Sequence, residues 1–249
     1  MPNTEPKKLL QVAVGVVKDA DGNILIALRD SALHQGGLWE FPGGKLESGE
    51  TAEQALVREL KEELNVTVQT AKPLITINHH YPDKSVQLHV FLVEQFFGPV
   101  QSCEGQPFAW VAVADLCNYP FPKANRAIIN ALKLPDCYAI LDDSCAELLP
   151  KLQQMLASGI KLIQARLKLS SCADVQAFMD QAVALCRQQQ ALLLINSAVA
   201  NHNGLNADGL HLTSRDLMAL NARPEAIQWL AASCHNGQEL QHAQRVGVD

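Results

Sequence analysis

The stretch from Gly44 to Val66, GKLESGETAEQALVRELKEELNV, decides the fold of the first half of the chain. Leucine recurs at every fourth position in it, and this spacing predicts a helix from Thr51 to Leu64 with one apolar stripe formed by Leu56, Leu60 and Leu64. Such a stripe packs against other elements, which leaves the polar face of the helix for solvent or for a ligand.

The polar face carries three carboxylates on one turn, because Glu59, Glu62 and Glu63 stand at positions i, i+3 and i+4. These groups repel one another unless a positive charge lies between them, and hard divalent cations such as Mg²⁺ prefer oxygen ligands. The alternative is a solvated charged helix in which Arg58 and Lys61 neutralise their neighbours. The helix alone leaves both interpretations open.

The residues before the helix favour a ligand site. Gly43 and Gly44 let the backbone approach a ligand closely, and the free N–H groups and dipole of a helix start favour anions. Glu50 lies eight residues before Arg58, which places it to orient that guanidinium from the preceding loop.

Strand-like runs surround this helix, so we expect residues 1–134 to form an α/β domain. The runs are Leu10–Val17, Ile24–Leu28, Leu74–His79, Val86–Glu94 and Phe108–Val113, and a last helix is expected at Ala124–Leu132. The first two runs flank Asp19-Ala-Asp-Gly-Asn23, and because D-G is a strong hairpin signal we expect them to pair.

A second domain is expected at residues 135–249, after the short junction Lys133-Leu-Pro-Asp136. Here short apolar strands alternate with helices, which predicts a parallel sheet. The strands are Tyr138–Leu141, Leu162–Leu167, Ala191–Ile195, Gly209–Leu212 and Ile227–Ala232, and the helices are Cys145–Ala157, Ala173–Gln189 and Gly237–Arg245.

Composition excludes several classes of protein. A hydrophobic share of 48% and a charged share of 18% exclude a disordered or collagen-like chain, and no apolar run is long enough to span a membrane. Residues 1–134 contain 12 Lys and Arg and 15 Asp and Glu, and residues 135–249 contain 8 Lys and Arg and 11 Asp and Glu, so both parts are acidic. Because binding to a nucleic-acid polymer depends mainly on basic residues that neutralise phosphates, we expect no such partner. The seven cysteines lack a C-x-x-C pair, and we expect reduced thiols in the core of a cytoplasmic protein.

The run from Gly44 to Val66 resembles the Nudix box, G-x5-E-x7-R-E-U-x-E-E-x-G-U, in which U is aliphatic. Asn65 replaces the second glycine, at the end of the helix, where asparagine is the next most tolerant residue for a left-handed cap. The resemblance implies an α/β/α sandwich with a mixed sheet and a hydrolase of nucleoside diphosphate derivatives. It also implies a Mg²⁺ cofactor, with Mn²⁺ as an alternative, held by Glu59, Glu62, Glu63 and the Gly43 carbonyl.

The resemblance to the MutT-type 8-oxo-dGTP diphosphatases extends beyond the box, through LQVAVGVV, EFPGGK, YPDK, CEGQP and FPKAN. It implies a small-molecule substrate, an oxidised purine nucleotide such as 8-oxo-dGTP, cleaved to the monophosphate and pyrophosphate. It also implies a set of substrate-binding residues, namely Arg29, His34, Glu40, Phe41, Pro42, Gly43, Lys45, Tyr81 and Asn125.

Several of the assignments that the resemblance implies have alternatives, and for Lys45 the alternative is an ordinary solvent-exposed lysine. Asn125 matches the base-reading residue of the family, whose amide distinguishes the protonated N7 of 8-oxoguanine, but asparagine is also a common helix N-cap. Phe41 and Tyr81 are placed to enclose a purine ring, although core packing is the default for a lone aromatic residue. Glu104 matches an acidic residue near the metal and is a further ligand or the general base, with Glu59 as the competing candidate for the base.

The second domain resembles thiamine phosphate synthase and thiazole tautomerase in three segments, Gln164–Lys168, Ile195–Ser197 and Ala207–Asp216. The resemblance implies a candidate phosphate site at the mouth of a barrel, formed by Arg166, Lys168, Asn196 and Asp216. Ser197 stands where the synthase has a metal-binding aspartate, and a hydroxyl offers no negative charge to a divalent ion. This difference argues against synthase activity.

The sequence shows about five βα units, too few to close an eight-stranded barrel, so we expect a partial TIM-barrel-like domain. We expect it to have little or no catalysis of its own. Two alternatives stay open for the chain: hydrolysis of damaged thiamine pyrophosphate or its precursors by the first domain, and a noncatalytic binding or oligomerisation role for the second. The oligomeric state is left open.

Overall fold

The computed structural model describes residues 9–31, 36–81, 84–142, 147–167, 172–199 and 204–249. The chain divides into two compact units, residues 1–133 and residues 134–249. No helix in these described ranges is both long enough and apolar enough to cross a membrane.

The described part of the first unit is built from seven strands and two helices. They are β1 (Leu9–Val17), β2 (Ile24–Leu28), β3 (Trp39–Glu40), β4 (Gly43–Lys45), α1 (Ala52–Leu64), β5 (Thr67–His80), β6 (Ser85–Phe97), β7 (Phe108–Val111) and α2 (Arg126–Lys133). One sheet has the order β4-β1-β6-β5 and another the order β3-β2-β7. Because β1 and β6 are parallel and their other neighbours antiparallel, the first sheet is mixed.

Strand β1 shows how the layers are arranged. Its residue Ala13 belongs to the same apolar cluster as Leu60 of α1, whereas Val14 and Val16 belong to a second cluster that includes Ile128 of α2. Successive side chains of a strand point to opposite faces, so the sheet lies between the two helices. The predicted α/β/α sandwich with a mixed sheet is confirmed.

The predicted hairpin between the first two strands is wrong beyond its turn. The turn forms, with the Asp19 N–H donating to the Asn23 carbonyl at 3.0 Å, and one bridge joins Lys18 to Ile24. The strands then enter different sheets. The second half of β1 and most of β2 are buried, and each strand pairs with other strands, β1 with β4 and β6 and β2 with β3 and β7. The D-G signal therefore predicts the turn but not the strand pairing.

The prediction for β5 covered only its second half. The strand begins at Thr67, and its first residues are mostly half-buried or exposed, without the apolar alternation that marks a strand. It lies at the edge of its sheet, carries Pro73, and shows register shifts against β6. An edge strand tolerates a proline and bulges, both of which weaken its sequence pattern.

Helix α1 has defined ends. Thr51 and Gln54 form a capping box, in which the Gln54 N–H donates to Thr51 Oγ1 at 3.2 Å and the Thr51 N–H to Gln54 Oε1 at 2.9 Å. At the other end Asn65 has φ 56° and ψ 20°, and its N–H donates to the carbonyls of Leu60 and Lys61. The left-handed cap expected at Asn65 is therefore present, and it fixes where the chain leaves the acidic turn.

The described part of the second unit is a parallel sheet covered by helices on one face. Its elements are β8 (Tyr138–Asp142), α3 (Leu148–Ala157), β9 (Leu162–Arg166), α4 (Cys172–Gln188), β10 (Leu192–Asn196), β11 (Gly209–Leu212), α5 (Ser214–Ala219), β12 (Trp229–Ala232) and α6 (Gly237–Val246). The strands pair in sequence order, β12-β11-β10-β9-β8. The predicted partial TIM-barrel-like arrangement is confirmed, although the six-residue helix α5 was not predicted because it is too short to show periodicity.

The prediction that the cysteines are core residues is wrong for three of them. Cys103, Cys117 and Cys137 are exposed, whereas Cys186 is buried and Cys234 is half-buried. The exposed three lie in loops and in a 3₁₀ turn, outside the periodic apolar segments that build the core. All five are free thiols.

The cap at Asn65 generates a stability prediction. Replacing Asn65 by Ala should destabilise α1 by about 1 kcal/mol, because a left-handed conformation is unfavourable for alanine. Replacing Asn65 by Gly should change little, since glycine is the usual residue there. Native-state hydrogen exchange of the α1 amides measures the effect. Gln190→Gly, at the left-handed position φ 52° in the second unit, is the control. Equal protection in Asn65→Ala and the wild type would contradict the assignment.

Candidate active site

A cavity of about 960 Å³ opens in the first unit beside the acidic turn of α1. Most of the residues predicted to act there line it, namely Arg29, Glu40, Phe41, Pro42, Gly43, Lys45, Glu59, Glu63, Tyr81, Glu104 and Asn125. Glu62 is not among the lining residues. His34 lies outside the described residues, so its predicted contact stays a prediction.

Arg58 connects the loop before α1 to the acidic turn of the helix. Its Nε and Nη2 donate to the two oxygens of Glu50 at 2.8 and 3.0 Å, in the pairing that their spacing predicts. The hydrogen bond from Arg58 lowers the pKa of Glu50 to about 2. The Nη1 atom donates to Glu59 at 2.9 Å and to Glu62 at 3.1 Å. The arginine thus joins the loop to the helix and restrains two of the three carboxylates.

The two glycines are required for different reasons. A Cβ on Gly44 would lie 2.1 Å from the carboxyl carbon of Glu59, so this carboxylate rests directly against the bare backbone of β4. A Cβ on Gly43 would lie 2.2 Å from the Ala13 carbonyl oxygen, and Gly43 has φ +143°. Gly43 therefore permits β4 to pair with β1, whereas Gly44 makes room for a functional side chain.

Glu63 is the most perturbed carboxyl group of the cavity. Burial raises its pKa to about 8, although the Gly43 N–H donates to its Oε2 at 3.2 Å and opposes this shift. Repulsion from Glu59, Glu104 and Glu40 raises the pKa further. The wall therefore holds more negative charge than its surroundings stabilise, and a cation in the cavity would relieve it.

The donor chemistry of this wall fits a hard divalent cation. Glu59, Glu63 and Glu104 supply only oxygen, and Mg²⁺ usually takes one or two carboxylates together with water and substrate phosphates. In the described part of the chain no three His, Cys, Asp or Glu side chains form a ready-made metal cluster. Glu62 has a 58% exposed side chain and pairs with Arg58, so its predicted role as a ligand is untested.

Arg29 and Glu40 face each other across another part of the wall. One guanidinium nitrogen of Arg29, Nη1, donates to both Glu40 oxygens, at 2.8 and 3.0 Å. Burial raises the pKa of Glu40, and the neighbouring Arg29 opposes that rise. The pair is held in place by β2 and β3, so it offers a polar contact of fixed position to a molecule in the cavity.

Asn125 ends a 3₁₀ turn, Lys123–Asn125, directly before α2. It is only 8% exposed and lines the cavity, and its backbone N–H donates to the Pro122 carbonyl at 2.9 Å. Its carboxamide has no hydrogen-bond partner among the described residues, so it does not cap α2. Because Asn125 lines the cavity, its amide group is available to bind a ligand there.

The aromatic residues at the wall are held by protein neighbours. Phe41 is 3% exposed and stacks on Phe121 with ring centroids 5.3 Å apart, and Tyr81 contacts His79 edge-on at 4.4 Å. One face of Phe41 is therefore already covered, and enclosure of a purine ring between Phe41 and Tyr81 stays a prediction. The Lys45 carbonyl accepts from Arg58 at 3.1 Å, and the Lys45 side chain is exposed.

Two lining residues, Lys84 and Gln106, were not singled out in the sequence. Both belong to segments that carry the family resemblance, YPDK and CEGQP. Neither has a pattern that distinguishes it from an ordinary surface lysine or glutamine. Their position on the cavity wall follows from loop conformation, which spacing along the chain does not reveal.

The second unit has a smaller cavity, of about 390 Å³, on the face of its sheet that the helices leave uncovered. Of the predicted phosphate site, Arg166 and Asn196 line this cavity. Arg166 already pairs with Asp142, to which its Nε donates at 2.8 Å, and Asn196 donates to Gln164 at 3.1 Å. Lys168 lies outside the described residues.

Asp216, the last residue of the predicted phosphate site, contacts two hydroxyl groups at the start of α5. It is not a lining residue of the smaller cavity, and one of its oxygens accepts hydrogen bonds from the hydroxyls of Ser197 and Thr213. Its backbone N–H donates to the Thr213 hydroxyl, which caps α5. These contacts hold the Asp216 carboxylate between two hydroxyl groups, and Ser197 adds no charge for a divalent ion.

The contact between Gly44 and Glu59 generates a prediction for the metal site. Gly44→Ala should weaken Mn²⁺ binding by about tenfold or more, because the new methyl group displaces the Glu59 carboxylate from the wall. Electron paramagnetic resonance of free Mn²⁺ measures the affinity, and circular dichroism checks the fold. Gly237→Ala, where the added Cβ meets nothing within 4 Å, is the matched control. Unchanged affinity in Gly44→Ala would remove Glu59 from the metal site.

Comparison with known proteins matches the two units to two families. A model of the NUDIX domain matches residues 13–131, and a model of thiamine monophosphate synthase matches residues 137–249. The chain is 32% identical over 110 residues to the thiamine-phosphate synthase of Synechococcus sp. (strain WH7803), covering 43% of this chain and 31% of that relative. The second unit therefore spans about a third of the length of this relative.

The first unit has relatives that it covers almost completely. It is 40% identical over 126 residues to the 8-oxo-dGTP diphosphatase of Escherichia coli (strain K12), which corresponds to 51% of this chain and 98% of the relative. It is 34% identical over 124 residues to the CTP pyrophosphohydrolase of the same organism, 50% of this chain and 91% of the relative. The chain belongs to the Nudix hydrolases, enzymes that act on phosphorus anhydrides, and carries a thiamine monophosphate synthase-type domain after its Nudix domain.

Proposed function

We propose that the Nudix domain hydrolyses oxidised purine nucleoside triphosphates, converting 8-oxo-dGTP and water to 8-oxo-dGMP and pyrophosphate. This reaction removes a mutagenic nucleotide from the pool before DNA synthesis and so serves mutation avoidance. The observation that carries the proposal is the position of Asn125, a residue only 8% exposed whose carboxamide lines the cavity and forms no hydrogen bond with the described residues. The relation to 8-oxo-dGTP diphosphatases supports it.

The carboxamide of Asn125 can read one edge of an oxidised purine. Its N–H₂ group donates to O6, and its oxygen accepts from the N7 proton that 8-oxoguanine carries and guanine lacks. With guanine the same oxygen would face the N7 lone pair and would gain no hydrogen bond from the base. Sites built on such hydrogen bonds discriminate by about 10⁴.

The acidic wall is the proposed site for the phosphates and for Mg²⁺, with Mn²⁺ as an alternative. We assign Glu59, Glu63 and Glu104 as ligands, and keep Glu62 and the Gly43 carbonyl as further predicted ligands. When bound, the ion neutralises the pyrophosphate and lowers the pKa of water. Arg58 orients Glu59, while the Gly43 N–H orients Glu63.

Two carboxylates are candidates for the base that takes the proton of the attacking water. Glu59 already accepts a hydrogen bond from Arg58 at 2.9 Å and rests against the backbone of Gly44, so its carboxylate is held in place. Glu104 is exposed at the cavity and forms no ion pair with the described residues. This difference favours Glu104 as the base and leaves Glu59 as a ligand.

A panel of substrates tests the proposed activity. With Mg²⁺, the wild-type protein should release pyrophosphate from 8-oxo-dGTP far faster than from dGTP or CTP, and Glu59→Gln should lower kcat by about 10²-fold or more, since the neutral amide loses the charge that binds the ion. Glu94→Gln, on the exposed end of β6, is the matched control. Equal rates with 8-oxo-dGTP and dGTP would contradict the proposed specificity.

A second candidate function is favoured by the adjoining domain. A thiamine monophosphate synthase-type domain supports damaged thiamine pyrophosphate, or its precursors, as substrates of the Nudix domain. Thiamine diphosphate and its oxidised form therefore belong in the same panel, and preferred cleavage of either would replace the first proposal. For the second domain we propose a noncatalytic phosphate-binding or interaction role, with Arg166 as the positive group, which calorimetry with thiamine phosphate tests.

Asn125 gives a separate prediction for specificity. Asn125→Ala should bring the ratio of kcat/KM for 8-oxo-dGTP to that for dGTP close to one, because the amide supplies the only proposed contact with the N7 proton. The rate with dGTP should change little. Asn118→Ala, an exposed asparagine outside the cavity, is the control. A preserved ratio would mean that another group reads the base, and that Asn125 is structural.

A further inference from the structure

The loop that carries Glu104 is tied to the end of α1. The last carbonyls of a helix have no partner inside it. Here the Leu64 carbonyl accepts from the Gln101 N–H at 3.2 Å, and the Glu63 carbonyl accepts from the Cys103 N–H at 2.9 Å. The segment 101–106, between β6 and β7, therefore lies against the turn that carries Glu63.

The side chain of Gln106 adds a second bond to the same carbonyl. Its Nε2 donates to the Glu63 oxygen at 3.4 Å, and its Oε1 accepts from the Ser102 hydroxyl at 2.7 Å. The orientation of this amide is fixed, because a carbonyl oxygen only accepts. The Glu63 carbonyl thus accepts hydrogen bonds from the loop on both sides of Glu104: from Cys103, which precedes Glu104, and from Gln106, two residues after it.

This attachment keeps two acidic side chains close together. Glu104 and Glu63 line one wall of the cavity, and repulsion from Glu104 is among the smaller causes that, after burial, raise the pKa of Glu63. Gly105, directly after Glu104, has φ +83°, a left-handed conformation that glycine adopts without strain. Gln106 follows this glycine, and its side chain forms hydrogen bonds with Ser102, on the other side of Glu104, and with Glu63. These bonds restrict the movement of Glu104.

We propose that Gln106 is a positioning residue that holds Glu104 on the cavity wall beside Glu63, with Ser102 orienting its amide. The inference rests on the proposed function, because it takes Glu104 as a group that acts on the metal or the attacking water. The Glu63 residue connects the two parts of this arrangement: its carbonyl holds the loop, and its carboxylate faces the cavity. Gln106 contributes no ligand atom of its own.

A double-mutant cycle separates positioning from a merely structural role. The variants are Gln106→Ala, Glu104→Gln and the two combined, and the measurements are kcat with 8-oxo-dGTP and the dissociation constant for Mn²⁺. Gln106→Ala should lower both kcat and Mn²⁺ affinity by about tenfold, as outer-shell substitutions do. In the Glu104→Gln background the same change should have less than a twofold effect, because its target is gone.

Two further variants keep the test independent of folding. Ser102→Ala should shift both quantities in the same direction as Gln106→Ala but less, since the bond from Gln106 to the Glu63 carbonyl remains. Gln101→Ala, in the same loop, is the matched control, because only its backbone N–H contacts the helix. Thermal unfolding of the metal-free proteins reports any general loss of stability.

The outcomes are distinguishable. Full effects of Gln106→Ala in both backgrounds would overturn the inference and leave Gln106 as a helix cap. If Glu104→Gln alone changes neither kcat nor Mn²⁺ affinity, the inference fails together with the role of Glu104, while loss of activity in Glu59→Gln would still support the proposed hydrolase. A strong effect of Gln106→Ala in the wild-type background that disappears in the Glu104→Gln background supports the positioning role of Gln106.

Discussion

Mutual repulsion among carboxylates at a half-buried wall is the constraint on which the site depends. At Glu63 this repulsion adds to a larger effect: burial, and then repulsion from Glu59, Glu104 and Glu40, raise its pKa to about 8. Two arginines at this wall are already engaged by carboxylates: Arg29 pairs with Glu40, and Arg58, at the edge, pairs with Glu50, Glu59 and Glu62. The remaining charge is what a divalent cation with a polyphosphate substrate requires.

The rest of the Nudix domain holds these charges together against their repulsion. The apolar stripe of α1 is fully buried against the sheet, and both ends of the helix are capped, so the acidic turn cannot move away. The missing side chain of Gly44 lets Glu59 lie on β4. The bare backbone of β4 and the Arg58 side chain together fix the position of Glu59.

The sequence predicted those parts that depend on local rules. The helix, its left-handed cap and the pairing of Glu50 with Arg58 follow from periodicity, backbone preference and spacing. The pairing of β1 with β6 rather than with β2 depends on which faces are buried, and the roles of Gln106 and Lys84 at the wall depend on loop conformation. In the second domain, the serine at position 197, where the synthase has a metal-binding aspartate, indicated from the sequence that no metal binds there. In the structure the Ser197 hydroxyl donates to the Asp216 carboxylate.

Paramagnetic broadening of backbone amide NMR signals by substoichiometric Mn²⁺ tests the central claim most directly, because it locates the bound ion without requiring turnover. The account predicts the strongest broadening at Gly43, Gly44, Glu59, Glu63 and Glu104, and no localised broadening in residues 134–249. Broadening centred away from the diglycine and the acidic turn, or spread evenly over surface carboxylates, would contradict it.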